Sequence, residues 1–433
     1  MMARMLELDT IDIHSIDRYA SEGYPWAEWD LLRDVAPVYW YERDGIAPFW
    51  AITRHADVKA VSTDNRTFIN GGGRLRLADE DFDRRFWASY RRRSERLGWD
   101  PAEPPDFIFT DRPQHWDMRR LVAPAFTPKA IAGRGDRMLG HARRFVDEFI
   151  ERLDHDGRAD IVEDLAVKLP LATICELMGV EADEWQQIHL WTKVLFPEPD
   201  HDMFCIEGED RSAMRRRLFR QWEDWIDDLI ERRRAEGADG DDLVSVLVRS
   251  ELHGQPLTAQ QLHGYIVLLI AAGNETTRNA AAGGTIALLE HRDQLARLQA
   301  DPDGLLDTTV EEVLRWTSPV IQFARTATQD VELHGQTIRA GDHVGIWYPS
   351  ANRDERAFPS PYRFDVGREP NDHLAFGRGA HFCLGTHLAR AELRAYFAVV
   401  TPILDELELD GETERIAHLH VGPLKRQLVR RAA

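Results

Sequence analysis

Hydrophobic and polar positions alternate with different periods in three parts of the chain. A helical period runs from Gly23 to about Asp34, and two short alternating runs follow at 37–41 and 48–53, joined around Asp44-Gly45. Aromatic and β-branched residues bounded by turn formers predict a hairpin there. From about Pro128 to Trp316 long amphipathic segments dominate, separated by capping residues and by Pro or Gly breaks, which predicts a helical middle. After Pro319 the period shortens again, and 322–326, 331–333 and 343–348 read as strands with turns at His334-Gly335 and Ala340-Gly341. The expectation is a mainly α protein with a smaller β-rich lobe, its strands at about 35–55 and 320–350.

One helix stands out. Thr258 and Gln261 form a capping-box pattern, and the helical period continues to about His291, a length of roughly 50 Å at 1.5 Å per residue. Its most apolar part, from Tyr265 to Ala272, is too short to cross a membrane, which needs about 20 apolar residues. A buried central helix is predicted. Midway it carries Ala271-Ala-Gly-Asn-Glu-Thr-Thr277, a glycine, an acid and two β-branched alcohols where helix propensity favours Ala or Leu. Small residues there let a ligand approach the helix, and a Thr hydroxyl beside Glu can pass protons into an apolar cavity. A helix-packing glycine with polar surface neighbours explains the same letters.

The segment from Gly71-Gly-Gly73 to Phe109 mixes Arg clusters with Phe82, Phe86, Trp87 and Trp99 and then enters Pro101-Ala-Glu-Pro-Pro105. A connection of this length is usually functional or disordered. A surface insertion and a substrate lid fit it equally.

At 433 residues the chain exceeds the usual single-core size, which leaves several domains, or one domain wrapped around a cofactor. With 43% hydrophobic residues, 13 Trp and 18 Phe it has ample material for a core. Its 74 acidic and 54 basic side chains leave a formal charge of -20. That charge opposes non-specific binding to nucleic acid or anionic membrane, so any polyanionic partner requires a local patch. The opening MMARMLELDTIDIHSIDRYA has charges throughout and no apolar core, unlike a signal peptide or anchor. A soluble cytoplasmic protein is expected.

Cysteines stand at 175, 205 and 383, with neither the even count of a disulfide scaffold nor the spacing of a CxxC site. Cys175 lies in an apolar helical stretch, 169–178, and reads as a buried inert thiol; Cys205 reads as a loop residue. Cys383 is different. It follows spaced glycines in His373-Leu-Ala-Phe-Gly-Arg-Gly-Ala-His-Phe-Cys-Leu-Gly-Thr-His-Leu-Ala-Arg390 and opens a helical pattern. Gly377 and Gly379 permit a tight turn whose amides can point at the sulfur, and Gly385 lacks a side chain that would block a flat macrocycle. A helix starting near Leu384 adds its positive end, which favours thiolate.

This loop resembles the haem-binding signature of the cytochrome P-450 family, Phe-Gly-x-Gly-x-His-x-Cys-x-Gly, matched at every fixed position from Phe376 to Gly385. Other segments follow in the family's order. Ala272-Gly-Asn-Glu-Thr276 is similar to its oxygen-activating helix segment, Glu312-Val-Leu-Arg315 to its Glu-x-x-Arg pair, and Pro361-Tyr-Arg-Phe364 to the segment whose Arg363 would complete that buried network. Glu-x-x-Arg alone carries little, because i,i+3 pairs are routine on exposed helices. Glu231 and Arg234 also satisfy it, but within a solvated charge run. Asp111-Arg-Pro-Gln-His-Trp-Asp-Met-Arg119 resembles the segment in which His115 and Arg119 would hold the haem propionates, and Arg325 and His381 match the other two propionate positions. Arg112 departs from the Asp-Pro-Pro or Asp-Ala-Pro of many bacterial members.

The resemblance implies a cytochrome P-450 fold over residues 1–433 as a single domain, binding haem b through the thiolate of Cys383, with Phe376, Gly377, Gly379 and Gly385 against the macrocycle. A thiolate ligand favours O–O cleavage. A bacterial monooxygenase follows, placing one atom of O2 in a C–H bond, with Thr276 hydrogen-bonding dioxygen and Glu275 relaying protons. Its pocket would be lined by the 71–109 insertion, Leu268, Ala271, Ala272, Ile321, Phe323 and Leu419, which suits a terpenoid, steroid or fatty-acid-like molecule. The run Ala-Gly-Asn-Glu-Thr-Thr-Arg-Asn279 is close to that of bacterial steroid and branched-lipid hydroxylases. Electrons would come from NAD(P)H through a ferredoxin reductase and a ferredoxin, since the sequence holds no flavin or nicotinamide fingerprint. Arg120, Lys129, Arg134, Arg378, Arg390 and Arg394 are candidates for a basic patch steering that ferredoxin, or are scattered solvated charges. A non-catalytic haem sensor would need neither Glu275 nor Thr276, and a peroxide-driven haem enzyme would gain little from that pair.

Overall fold

Val38–Arg43 (β1) and Ile46–Ile52 (β2) pair antiparallel with Arg43 opposite Ile46, so the hairpin turns at Asp44-Gly45, where Gly45 has φ +85°. The computed structural model describes residues 7–71, 74–79, 81–195, 210–422 and 424–432. Cys205 lies outside them. Three more strands complete a sheet with this hairpin: Phe68–Ile69 (β3), Gln322–Ala327 (β4) and His343–Trp347 (β5), in the order β1-β2-β5-β4-β3. β5 runs parallel to β2, with Val344 opposite Trp50. Parallel neighbours need a long crossover, and here nearly the whole helical region is that crossover. The two strand regions therefore form one sheet. Residues Val331–Leu333 and Gln336–Ile338 make a separate hairpin over His334-Gly335, both with positive φ.

Eight of the helices position the site: Phe82–Leu97 (α1), Gln114–Val122 (α2), Gly135–Asp156 (α3), Lys168–Met178 (α4), Arg211–Ala235 (α5), Ala259–Glu290 (α6), Pro302–Thr317 (α7) and Thr386–Val400 (α8). The capping box starts α6: Thr258 Oγ1 accepts from the Gln261 amide, and Gln261 Oε1 from the Thr258 amide, each at 3.1 Å. α6 packs against α4, α7 and α8, and residues on all sides of it are buried, as expected for a helix inside a large core. It passes through 271–277 as unbroken α-helix, so the polar letters there do not interrupt it. Cys175, on α4, is fully buried, and burial pushes its thiol pKa up; it is inert. Among the described residues no helix is long and apolar enough to cross a membrane.

The 71–109 segment is built around α1, a helix of 16 residues ending at Gly98 in the left-handed conformation. Gln260, at the start of α6, donates to Tyr90 Oη at 2.7 Å and to the Asp100 carbonyl at 2.8 Å. Tyr90 in turn donates to the Glu103 carbonyl. These buried bonds tie the insertion to the central helix.

Candidate active site

The cysteine loop is shaped by backbone constraint. Gly377 and Gly379 have φ of +66° and +79°, and a Cβ at Gly379 would stand 2.1 Å from the Ser62 carbonyl oxygen; only glycine fits there. The Cys383 amide donates to the Phe376 carbonyl at 3.0 Å. The amide that bonds the sulfur belongs to Gly385, immediately before α8, and not to the earlier glycines. Burial pushes the Cys383 thiol up, against the Gly385 amide and the charges of Arg119 and Arg390.

Glu311 of α7 holds this loop from outside. Its carboxylate takes Arg390 at 2.6 and 2.8 Å and His373 at 3.1 Å. Arg390 also lies over the Phe376 ring, 4.7 Å from its centroid. Burial alone would raise the Glu311 pKa, but the bonds from Arg390 and His373 bring it down to about 2. Nothing in the local sequence marks Glu311, since its partners stand 62 and 79 positions away.

His115 and Arg119 from α2, Arg325 from β4 and His381 from the cysteine loop all line one cavity with Cys383. The two imidazole rings stack with centroids 4.0 Å apart. Burial, with neighbouring guanidinium groups, pushes the pKa of His115 down to about 4 and of His381 to about 2. Each has a buried Nε2 without a hydrogen-bond partner. Arg119 donates to the Phe382 carbonyl at 2.5 Å and Arg325 to that of Ala324, and among the described residues neither guanidinium has a carboxylate within ion-pair distance. Uncompensated cations in a dry site are costly. A bound anion would offset that cost. Gly385 lines the same cavity with nothing within 4 Å of where its Cβ would stand, leaving room for a flat group beside the sulfur. A haem with two propionates fits this donor set. Arg112 sits outside it, over the Trp116 ring, and leaves His115 and Arg119 in position.

Glu312 and Arg315, fully buried on α7, pair at 2.7 Å through both oxygens. Arg315 also donates to the carbonyls of Asn352 and Pro361, and Asn352 Oδ1 accepts from the Leu374 amide at 2.7 Å. The third member differs from the expectation. The Arg363 side chain is exposed and only its carbonyl joins the network, accepting from Arg315 at 3.2 Å. Arg368 fills the place instead, its Nε 3.2 and 3.0 Å from the Glu312 oxygens. The side chains of Tyr362 and Arg363 turn outward while Phe364 packs into the core, and the chain reaches Glu312 with the Asp365 amide. By contrast, Glu231 and Arg234 pair in solvent.

The cavity measures about 1550 Å³. Leu268, Ala271, Ala272, Glu275 and Thr276 of α6 line it with Phe323 and with Phe86 and Phe109 of the insertion. Ile321 and Leu419 do not. Both are buried in the core with Trp29, Phe49 and Trp347, while their chain neighbours Val320 and His420 reach the cavity. Gly273 serves mainly packing: a Cβ there would meet Ile174 at 3.0 Å. The approach to the helix comes from Ala271 and Ala272. Thr276 Oγ1 donates to the Ala272 carbonyl at 2.9 Å. Glu275 is buried against Arg278 at 2.5 Å, and Arg278 lies 3.7 Å from Glu163, which also takes His189 and Lys193. This chain of charges leads from the cavity to a carboxylate that is 34% exposed. Glu392 of α8 also lines the cavity, bonded by the hydroxyls of Thr277 and Thr173, and burial raises its pKa far above the carboxylate range. Its signal in sequence is one acid on an otherwise buried helix face.

A thiol loop joined to an anion-holding set inside a helical cavity defines a haem-thiolate protein. A model of the family described as Cytochrome P450 matches residues 99–414, and the chain belongs to that family. Members of it bind haem b through a cysteine thiolate, and this chain is a monooxygenase of that class. It is 36% identical over 433 residues to the methyl-branched lipid omega-hydroxylase of Mycobacterium tuberculosis, covering 97% of this chain and 93% of that protein. It is 39% identical to the steroid C26-monooxygenase of Mycolicibacterium smegmatis, with 98% and 96% covered. A solved structure of a Mycobacterium marinum cytochrome P450 in complex with pseudoionone superposes with a TM-score of 0.85 at 34% identity, covering 99% of this chain and 100% of that one.

Proposed function

We propose that Cys383 is the thiolate ligand and that the enzyme hydroxylates an unactivated C–H bond of a terpenoid, steroid or lipid, with electrons from a ferredoxin and its reductase. The observation that carries this reading is the shared cavity of Cys383, the four propionate candidates and Thr276. When bound, haem b with a thiolate ligand supplies the reductive activation of O2 and the transfer of one oxygen atom.

The protein residues do the rest. His115, Arg119, Arg325 and His381 neutralise the propionates, while Phe376, Gly377 and Gly385 shape the wall beside the sulfur; Gly379, expected there too, lies outside the cavity lining and instead lets the loop pack against Ser62. Ala271 and Ala272 leave the face of α6 open. The Thr276 hydroxyl, facing the cavity, holds a proton beside dioxygen, and Glu275 carries protons to it, with the Arg278 guanidinium holding its carboxylate toward Glu163 and solvent. The apolar lining excludes other water. Hydrophobic substrates are supported by that lining and by the lipid and steroid oxidations named for the relatives. Glu312, Arg315 and Arg368 keep the cysteine loop in register.

An acidic ferredoxin is supported by Lys129, an exposed cation on the segment Pro128–Ala132, which packs on α8, and by the nearby Arg134. Arg120, Arg378, Arg390 and Arg394 contribute less net charge, because Asp117, Asp372, Glu311 and Asp307 pair with them. The first test is the spectrum of the reduced protein with carbon monoxide. A red-shifted Soret band is expected, and a histidine-type band would end the assignment. With isotopically labelled O2 and a surrogate ferredoxin and reductase, one labelled atom should enter the product.

A further inference from the structure

Two arginine-rich helices meet the cavity at its solvent end. Residues 211–220, the start of α5, contain five arginines and no acid, in a chain whose net charge is -20. α1 adds six more arginines between 84 and 96. Several are neutralised within the protein: Arg85 by Asp79, Arg84 by Asp81, and Arg93 and Arg96 together by Glu223. Arg92, Arg216 and Arg220 are not. All three are exposed, all three line the cavity, and none has a hydrogen-bond or ion-pair partner among the described residues. The same cavity is lined by the apolar side chains of Phe86, Phe109 and Leu268 and by Thr276 and Cys383.

We propose that Arg92, Arg216 and Arg220 form an anion-binding subsite at the cavity mouth, and that the substrate is an apolar acyl chain ending in a carboxylate or a phosphate-bearing thioester. This rests on the monooxygenase reading above. Unpaired guanidinium groups at one opening repel each other, and an anionic end group relieves that repulsion while forked N–H donors orient it. An apolar wall behind the cations then takes the chain. With its head held at the mouth, the substrate presents carbons far from that head to the Cys383 end. Oxidation near the chain terminus follows.

The test uses the full-length haem-loaded protein and three probes: dodecanoic acid, its coenzyme A thioester and its methyl ester. Binding is read from the spin-state change of the haem. At least one anionic probe should bind about tenfold or more tighter than the ester, and R92Q/R216Q/R220Q should erase that preference with unchanged affinity for the ester. High salt should weaken the anionic probe alone. Tighter binding of the free acid identifies a carboxylate substrate, and of the thioester a carrier-linked one. Equal binding of acid, thioester and ester by the unaltered protein, or a preference that survives the triple substitution, would overturn the subsite. So would silence from all three probes in protein with a normal carbon monoxide spectrum, an outcome that leaves the monooxygenase reading standing. Loss of that spectrum in the unaltered protein would sink the reading itself.

Discussion

Arg368 closes on Glu312, with its Nε 3.2 and 3.0 Å from the two carboxylate oxygens. Glu312 is fully buried, so every donor it loses leaves charge unsatisfied. Arg368→Leu should therefore cost about 3 kcal/mol, whereas Arg363→Ala, with its side chain in solvent, should stay within about 0.5 kcal/mol. Urea unfolding midpoints of the two variants would decide. Equal losses would return Arg363 to the network.

Thr276 and Glu275 act on the same cavity through different atoms, and their variants should fail differently. Removing the hydroxyl in Thr276→Ala should lower the product formed per reduced cofactor, with the balance of oxygen appearing as peroxide. Glu275→Gln keeps shape but loses a proton carrier, and turnover should slow by about a hundredfold with a larger solvent deuterium isotope effect. Unchanged coupling in the first variant would remove Thr276 from oxygen chemistry.

Glu311 gives the loop a measurable dependence on acid. Its folded pKa of about 2 lies below the ordinary 4.5, so the stabilisation it provides is complete above about pH 4.5 and is lost as pH falls toward 2. Glu311→Gln lacks that term at every pH. The stability gap between the original protein and the variant should be full at neutral pH and close between pH 4.5 and 2, followed by denaturant midpoints. A gap that persists at the acid end would show that the Arg390 and His373 bonds do not depend on the charge of Glu311.

Leu419 and Val421 separate stability from binding. Leu419→Ala opens a hole in the core cluster that also holds Trp29 and Phe49 and should cost about 2–5 kcal/mol with little effect on ligand affinity. Val421 lines the cavity, so Val421→Phe should narrow it and change which ligands induce the spin-state shift. Parallel thermal melts and ligand titrations would distinguish the two. The reverse pattern would place Leu419 at the pocket.

By itself the sequence determined the features that depend on neighbours along the chain. Turn formers between alternating runs marked both hairpins, the Thr258 and Gln261 box marked the start of α6, and glycine spacing marked the cysteine loop, because each is a local preference written in adjacent residues. The family followed from that loop. What only the tertiary structure decided is which distant groups meet. Arg363 and Arg368 are equivalent letters until the 361–368 turn aims one at Glu312, and Glu311 meets its two partners only when α7 packs beside the loop. Ile321 and Leu419 are apolar wherever they point, and only the packing of the folded chain sends them to the core and their neighbours Val320 and His420 to the cavity. The same holds for Arg92, Arg216 and Arg220: scattered through two charge runs, they become one site only where α1 and α5 reach a common opening.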